Sequence, residues 1–391
     1  MIKVVFMGIP SVSGNYTHFK YLRDNLSNCQ FYLLALGNIE KVIVHDEDYL
    51  NLGSNLSRQT HQKELARLFL DFCEKEQIDL IIPMNSSIVA SCIPFLKKAK
   101  VIQIVNTNTS RVYHYIIFCL EYTSKMICIS QRQRDVLVKK IPKDVFEKKT
   151  VLIPHGVRHY SSQLLKTDHF PLTIGFLGRI HHAHKGVFKV TDILARLSIP
   201  CKFEIVGDGQ DKERLLTDLK NKNISFSYRG AIPQDKIDEF IDKWDILLFP
   251  SQVEGFPLTL IETMSNGVVP LANHLPGITD FIITSGKDGF VIKKNNIRDF
   301  VSRIEQLNED RELLYRMKQA ARETVRDRFE LSNIIKQYQQ VFEEVLKTEK
   351  PGRIKDYSEW QPYVEYKPRL AIRLLNRVRK LFNLFSYKIT L

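Results

Sequence analysis

Two glutamates eight residues apart, Glu254 and Glu262, frame the most chemically equipped stretch of this chain, Ile246-Leu-Leu-Phe-Pro-Ser-Gln-Val-Glu254-Gly-Phe-Pro-Leu-Thr-Leu-Ile-Glu262-Thr-Met264. The first acid falls in a loop, and the second lies on a segment that restarts with helical character around Pro257. Amides at a helix start, reinforced by its positive dipole end, receive phosphate, and fixed carboxylates accept hydrogen bonds from hydroxyls. The combination suits a sugar attached to a phosphate. Upstream, Gly175-Phe-Leu-Gly178-Arg179-Ile-His-His-Ala-His-Lys185-Gly186 places a guanidinium and an ammonium on one loop, which suits a diphosphate. Gly178 lets backbone approach a ligand there. Two further corners are Gly207-Asp-Gly209 and Tyr228-Arg229-Gly230-Ala-Ile232-Pro233, the second offering backbone groups to a base edge.

These residues need elements that hold them. The run 246–249 is short and wholly apolar, as expected of a parallel strand buried on both faces. Pro257 fits the first helical position, since its φ is preset and its missing N–H would be unpaired there. Similar runs alternate with amphipathic stretches along the chain, which predicts parallel sheets covered by helices. Strands are expected at 3–7, 31–36, 41–44, 80–84, 101–105, 126–129 and 151–153, with helices at 61–75 and 87–98. After a polar linker at 158–170 the pattern restarts, with strands at 172–177, 202–206, 225–228, 246–249, 268–271 and 289–292. Helices follow at 299–307, 310–329 and 331–348, and Lys350-Pro-Gly-Arg353 ends the last. The expected fold is α/β: two Rossmann-like, doubly wound parallel-sheet domains facing a central cleft. The boundaries are 1–160 for an N-terminal domain, 161–349 for a C-terminal domain with closing helices, and 350–391 for a basic tail.

The ordered set Arg179…Lys185-Gly186, Gly207-Asp-Gly209, the Gly230 turn and Glu254-Gly-Phe-Pro-Leu-Thr-Leu-Ile-Glu262 resembles glycosyltransferase family 4, retaining sugar-nucleotide transferases of GT-B architecture. The resemblance covers about 171–292, and the first half is similar in shape only. It implies that Arg179, Lys185 and Glu254 serve catalysis. Arg179 and Lys185 would grip the donor diphosphate, and Glu254, with the Gly255 and Phe256 amides, would hold hydroxyls of the donor sugar. Leu258 and Thr259 would bind phosphate, Glu262 the ribose hydroxyls, and the Ile232 backbone the base. Gly178, Gly207 and Gly230 would line the donor site. In the first half, Gly8-Ile-Pro-Ser-Val-Ser-Gly14 matches the loop that lines the cleft near phosphates and acceptor. Ile153-Pro-His155-Gly-Val157 resembles the segment closing the first domain. Where the family has a histidine near the donor sugar, this chain has Asn106-Thr-Asn108-Thr109, so Asn106 or Asn108 is expected on the sugar and acceptor side. Asp280 stands where the family has glutamate.

The remaining features narrow the class. Apolar content of 44% and charged content of 26% are those of a globular protein. The six cysteines at 29, 73, 92, 119, 128 and 201 have no ligand spacing, so free thiols in a reducing cytoplasm are expected. No run reaches the roughly 18 apolar residues of a membrane span, and the N-terminus reads as the first strand rather than a signal peptide. His181-His-Ala-His184 reads as solvated imidazoles rather than a metal site, Asp46-Glu-Asp48 as a surface acidic turn, and His114, Cys119 and Glu121 as packing residues of one helix. Neither a metal nor a cofactor is expected; the sugar nucleotide is a co-substrate. Of the net charge of +13, seven Lys or Arg and no acid fall in 367–391. There, apolar residues at 371, 374, 375, 378, 381, 382 and 385 oppose basic or amide residues, a pattern that fits an anionic lipid surface. Nucleic acid is not expected, since no binding module accompanies the charge.

The expected protein is therefore a metal-independent, retaining hexosyltransferase acting on a glycan or lipid-linked acceptor in cell-surface polysaccharide biosynthesis. It would be cytoplasmic and peripheral at the inner membrane face. Two rivals remain: a sugar-nucleotide epimerase of the same fold, which would need an acid/base pair that is not evident, and a catalytically silent partner subunit, which the asparagines at 106 and 108 would favour.

Overall fold

Apolar runs flanked by turn residues become strands in two separate all-parallel sheets. The computed structural model describes residues 1–11, 13–39, 45–158, 170–233 and 236–363. The expected strand at 41–44, most of the linker and the basic tail at 367–391 lie outside the described residues. The chain divides into two units. Unit 1 holds Met1–Ile129, Gln133–Ile153 and the chain from Ile335, and unit 2 holds Ser130–Arg132 and Pro154–Ile334.

In unit 1, β1 (Ile2–Met7), β2 (Cys29–Leu36), β3 (Tyr49–Leu52), β4 (Leu80–Ile82), β5 (Lys100–Val105), β6 (Thr123–Cys128) and β7 (Thr150–Leu152) stand in the order β3-β2-β1-β4-β5-β6-β7. In unit 2, β8 (Leu172–Leu177), β9 (Cys201–Val206), β10 (Phe226–Tyr228), β11 (Ile246–Phe249), β12 (Val269–Asn273) and β13 (Phe290–Ile292) stand in the order β10-β9-β8-β11-β12-β13. Central β8 and β11 are buried along their whole length, as strands covered by helices on both faces must be. β3 was not anticipated. It is an edge strand whose four residues are all half-buried, and Tyr-Leu-Asn-Leu carries no apolar run. The helix expected at 87–98 stops at Cys92 and tightens into a 3₁₀ turn at Ile93–Phe95, where Pro94 cannot continue it.

The closing helices do not all stay with unit 2. The last long helix, Leu331–Lys347, was expected with the second domain, yet from Ile335 it belongs to unit 1. Tyr338 sets its ring 5.2 Å from His18, and Lys125 pairs with Glu344 at 2.6 Å. Lys100 Nζ donates to the carbonyls of Val345 and Leu346 at 3.0 and 2.8 Å, covering the helix's unpaired C-terminal end. Amphipathic period shows that a helix needs a partner surface but not which unit supplies it. Beyond it, 350–363 runs as a strap over unit 1. The Lys355 amide donates to Pro94 O at 3.0 Å, Tyr357 packs edge-on to Phe95, and Trp360 and Tyr363 join the unit 1 core.

Unit 2 has its own core, and against β8 the chain packs an indole. Trp244 is fully buried and donates Nε1 to Glu204 at 3.2 Å. Next to it, buried Asp245 accepts from the Thr173 amide at 2.9 Å and from Lys318 Nζ at 3.1 Å, so a charge with no access to water is fully matched. The indole lies over Gly175, where an added Cβ would stand 1.9 Å from a Trp244 ring carbon. Gly175→Ala is expected to destabilise the protein by about 2–3 kcal/mol through overpacking, read as a lowered midpoint in chemical denaturation.

Candidate functional site

In unit 2 the chain builds β8, β9 and β10 outward to one side, then crosses back to lay β11, β12 and β13 on the other. Loops leaving β8 and β11 at their carboxyl ends therefore turn away from each other and open a crevice, the position where ligands bind in such sheets. The loop after β8 carries Gly178, Arg179 and Lys185, and the loop after β11 carries Glu254, Gly255 and Phe256.

Neighbouring strand ends are tied across their loops. Gly178 N donates to Val206 O at 3.0 Å, Ile180 N to Asp208 O at 2.8 Å, and Gly207 N to Gly230 O at 2.7 Å. Gly207 has φ +140°, and a Cβ there would lie 1.9 Å from Gly178 O. The glycines expected as ligand-facing thus also serve the mutual approach of β8, β9 and β10. Gly230, at φ +73°, has only Tyr228 Oη, 4.0 Å away, near the place of a Cβ. Ile232 follows it, half-buried.

Lys185 ends the short helix His182–Lys185 and reaches across the crevice to Glu254, Nζ to Oε1 at 2.7 Å, with 18% and 11% of the two side chains exposed. Its ammonium also lies 5.2 Å from the Phe249 ring centroid. Arg179 is exposed on the same loop. The backbone supports this bridge. Gln252 N donates to His184 O at 2.6 Å, and Gly186, left-handed at φ +66°, lies so close to Pro250 O that a Cβ would come within 2.3 Å.

Helix Leu258–Ser265 starts one residue later than expected, with Pro257 at the cap position rather than inside the first turn. Leu260 N bonds to Pro257 O at 3.0 Å, which leaves Leu258 and Thr259 as the amides at the helix start without intrahelical acceptors. Phe256 turns its side chain inward between His155 and Phe329, at 5.6 and 5.8 Å between ring centroids. Burial pushes His155 down to about 4, so it is a neutral packing residue at neutral pH. Glu262 keeps some exposed surface yet is densely surrounded by protein. That burial, with Asp238 nearby, pushes its carboxyl up to about 7 against the opposing pull of Lys185. Asn266 donates to Asp238 Oδ1 at 2.8 Å and to the Glu262 carbonyl at 3.0 Å.

Of the three histidines, His184 is exposed as expected, while His181 and His182 are half-buried. His182 stacks on Phe188 and accepts the Phe188 amide at 3.1 Å on its ring Nδ1, while its backbone amide donates to Asp211 Oδ2 at 2.7 Å. His181 and His184 meet edge to face at 4.5 Å. His184 is held below its ordinary value by burial first and then by His181; Arg179 and Lys185 act the same way, and Glu254 opposes them. Among the described residues no three His, Cys, Asp or Glu side chains gather into a metal site. Asp280 sits on the turn Thr279–Ile282 and accepts from His274 at 3.0 Å.

Unit 1 places its own expected residues at the carboxyl edge of its sheet. Gly8 follows β1, and Gly14 begins the helix Gly14–Asn25, which Ser13 caps by accepting the Tyr16 amide. Asn106 follows β5 and accepts from Asn85 Nδ2 at 2.8 Å, while Asn108 accepts from Tyr113 Oη at 2.8 Å. Asn85, left-handed at φ +64° after β4, was not anticipated; its only sequence signal is a polar pair ending an apolar run. Asp46 is not a surface acid. Its side chain is 2% exposed and takes Tyr16 Oη at 2.5 Å and Arg23 at 3.0 Å; burial first, and then Asp46, push the Tyr16 phenol up to about 12 against the opposing pull of Arg23. His114, Cys119 and Glu121 do not share a helix, since Ser110–Phe118 ends first and His114 bonds to Tyr363 Oη at 2.9 Å.

Residues 162–324 match the family described as glycosyl transferases group 1. N-acetyl-alpha-D-glucosaminyl L-malate synthase of Bacillus anthracis is 30% identical over 172 residues, 44% of this chain and 45% of that protein. UDP-Gal:alpha-D-GlcNAc-diphosphoundecaprenol alpha-1,3-galactosyltransferase of Escherichia coli is 25% identical over 227 residues, 52% of this chain and 56% of that one. The match thus spans about half the length of each of these relatives. Anabaena HepE, solved in complex with UDP and glucose, aligns with a TM-score of 0.71 at 15% identity, covering 88% of this chain and 100% of that one. The fold is that of GT-B glycosyltransferases, as expected from the resemblance.

The raised carboxyl of Glu262 makes stability depend on pH. Between its ordinary 4.5 and its folded value of about 7, the folded chain keeps a proton that the unfolded chain has released. This contribution is full below pH 4.5 and is lost as pH rises through about 7. Glu262→Gln is expected to abolish that decline, read from denaturation midpoints of both proteins across this range.

Proposed function

With a group 1 glycosyl transferase segment in unit 2 and a GT-B fold in the chain, we propose that this protein is a retaining hexosyltransferase of glycosyltransferase family 4. Its donor in this reading is a nucleoside diphosphate sugar, with UDP favoured by the ligands of HepE and by the UDP-Gal donor of the Escherichia coli galactosyltransferase. The observation that carries the reading is the Lys185–Glu254 bridge at the carboxyl edge where the strand order reverses, with Arg179 on the same loop. Arg179 and Lys185 stabilise the charge that grows on the β-phosphate as it leaves, and no metal ion is required for that role. The Leu258 and Thr259 amides receive phosphate, Glu254 with the Gly255 and Phe256 amides holds sugar hydroxyls, and Glu262 holds the ribose. The Gly230–Ile232 backbone faces the base.

In the reaction the bond from the anomeric carbon to the diphosphate oxygen breaks. A bond to the acceptor oxygen forms on the same face through an oxocarbenium-like state, and the acceptor hydroxyl gives its proton to the departing phosphate oxygen. No side-chain base is then needed, which accommodates Asn106 and Asn108. A glycan or lipid-linked acceptor fits the unit 1 loop from Gly8 to Gly14, and cell-surface polysaccharide synthesis fits the diphosphoundecaprenol-linked acceptor of the Escherichia coli galactosyltransferase. Among the described residues no helix is long and apolar enough to cross a membrane. Peripheral attachment at the cytoplasmic face through the basic pattern of 367–391 is the proposed alternative. It is supported by the contact of Tyr363 with Phe118, itself 49% exposed beside Ile117 at 40%.

Incubation with a panel of sugar nucleotides is expected to release nucleotide from one of them. Arg179→Ala, with unchanged melting, and Lys185→Ala, with a lowered midpoint because Glu254 loses its ammonium, should each lower that kcat by about 100-fold or more. Activity equal to wild type in either variant removes the diphosphate grip. Removing 367–391 is expected to release the protein from phosphatidylserine vesicles in a sedimentation assay, while equal sedimentation with and without those residues would refute the membrane role.

A further inference from the structure

Glu254 follows a stretch, 250–252, whose three carbonyls are each bound by a side-chain donor. Pro250 O accepts from Asn273 Nδ2 and Gln252 Nε2, both at 2.8 Å, and Ser251 O accepts from Asn273 Nδ2 at 3.1 Å. Gln252 O accepts from Lys294 Nζ at 3.0 Å. Asn273 is fully buried at the end of β12, and Gln252 and Ser251 are buried as well. Two of the three carbonyls are thus held by neutral amides from within. The third, nearest Glu254, is held by an ammonium, and hydrogen bonds from charged donors are the stronger kind.

Lys294 comes from the turn after β13, and that turn is itself held. Asn295 is left-handed at φ +70°, and its Oδ1 accepts from Lys189 Nζ. Lys189 is only 9% exposed and lies on the helix Val187–Leu194, four residues after Lys185. Residues 185–189 therefore hold the Glu254 loop twice. Lys185 binds the carboxylate directly, while Lys189 fixes the turn from which Lys294 reaches the carbonyl two residues before it.

We propose that Lys294 is a positioning residue for donor-sugar recognition: by fixing the Gln252 carbonyl it sets the place of Glu254, without touching the donor itself. The inference rests on the reading of Glu254 as the holder of sugar hydroxyls. Its consequence is selective. Loss of Lys294 weakens what the sugar adds to binding and spares what the nucleoside diphosphate contributes through Arg179, Lys185 and the helix start.

The test compares wild type, Lys294→Met, Lys294→Arg, Glu254→Gln and the Glu254→Gln/Lys294→Met pair by calorimetry. UDP and the sugar nucleotide consumed by wild type are the probes. Lys294→Met is expected to weaken sugar-nucleotide binding by about tenfold and UDP binding by less than about twofold, with an unchanged thermal midpoint. Lys294→Arg should recover most of the loss, and on the Glu254→Gln background Lys294→Met should add little, as for two residues acting through one contact. Equal weakening of both probes, additive losses in the pair, or wild-type binding in Lys294→Met would each overturn the inference and leave the proposed reaction standing. A wild-type protein that consumes no sugar nucleotide would instead remove the reading of Glu254 and this inference with it.

Discussion

An ammonium and a carboxylate 2.7 Å apart hold together two loops that the sheet drives apart. The reversal of strand order between β8 and β11 opens a crevice by geometry alone, but an open crevice has no fixed chemistry. The Lys185–Glu254 bridge fixes it. Both groups are largely withdrawn from water, so their attraction is weakly screened, and each matches the other's charge. The tight contacts of Gly186 with Pro250 and of His184 with Gln252 follow from the same closure. A cation expected to meet a diphosphate and an acid expected to meet a sugar are one electrostatic unit.

Much of this was legible in the sequence because parallel sheets write themselves plainly. Strands buried on both faces are short continuous apolar runs, and β8 and β11 stood out for that reason. The order of Arg179, Lys185, Gly207, Gly230, Glu254 and Glu262 along the chain was also visible, since loops at one edge of such a sheet succeed one another strand by strand. Less visible was whatever depends on partners far apart in the chain. Asn273 and Lys294 look like ordinary strand-end residues until their amide and ammonium meet the 250–252 carbonyls. Asp46 looked like a surface turn because its partners Tyr16 and Arg23 lie on a different element. β3 was missed because an exposed edge strand needs no apolar run.

The glycines show how one residue type answers two demands. Gly178 and Gly207 were expected to admit a ligand, and the structure shows that they must first admit each other. A side chain at Gly207 would separate β8 from β9 before it obstructed any substrate. Steric need within the fold and access for a ligand coincide at these strand ends, so the motif reports the architecture at least as directly as it reports chemistry.

The return of the final helix to unit 1 makes unit 2 an insertion rather than the second half of a string. The chain enters it near Val157 and leaves it near Glu330, and these residues form a bridge, with Leu331 N bonded to Val157 O at 2.9 Å. A segment whose two ends are held side by side can be exchanged as a cassette, because its host needs only one short gap to accept it. The group 1 match at 162–324 falls wholly inside that cassette. The matched segment can then be inherited as a closed loop of chain, while the surrounding unit is free to diverge around it.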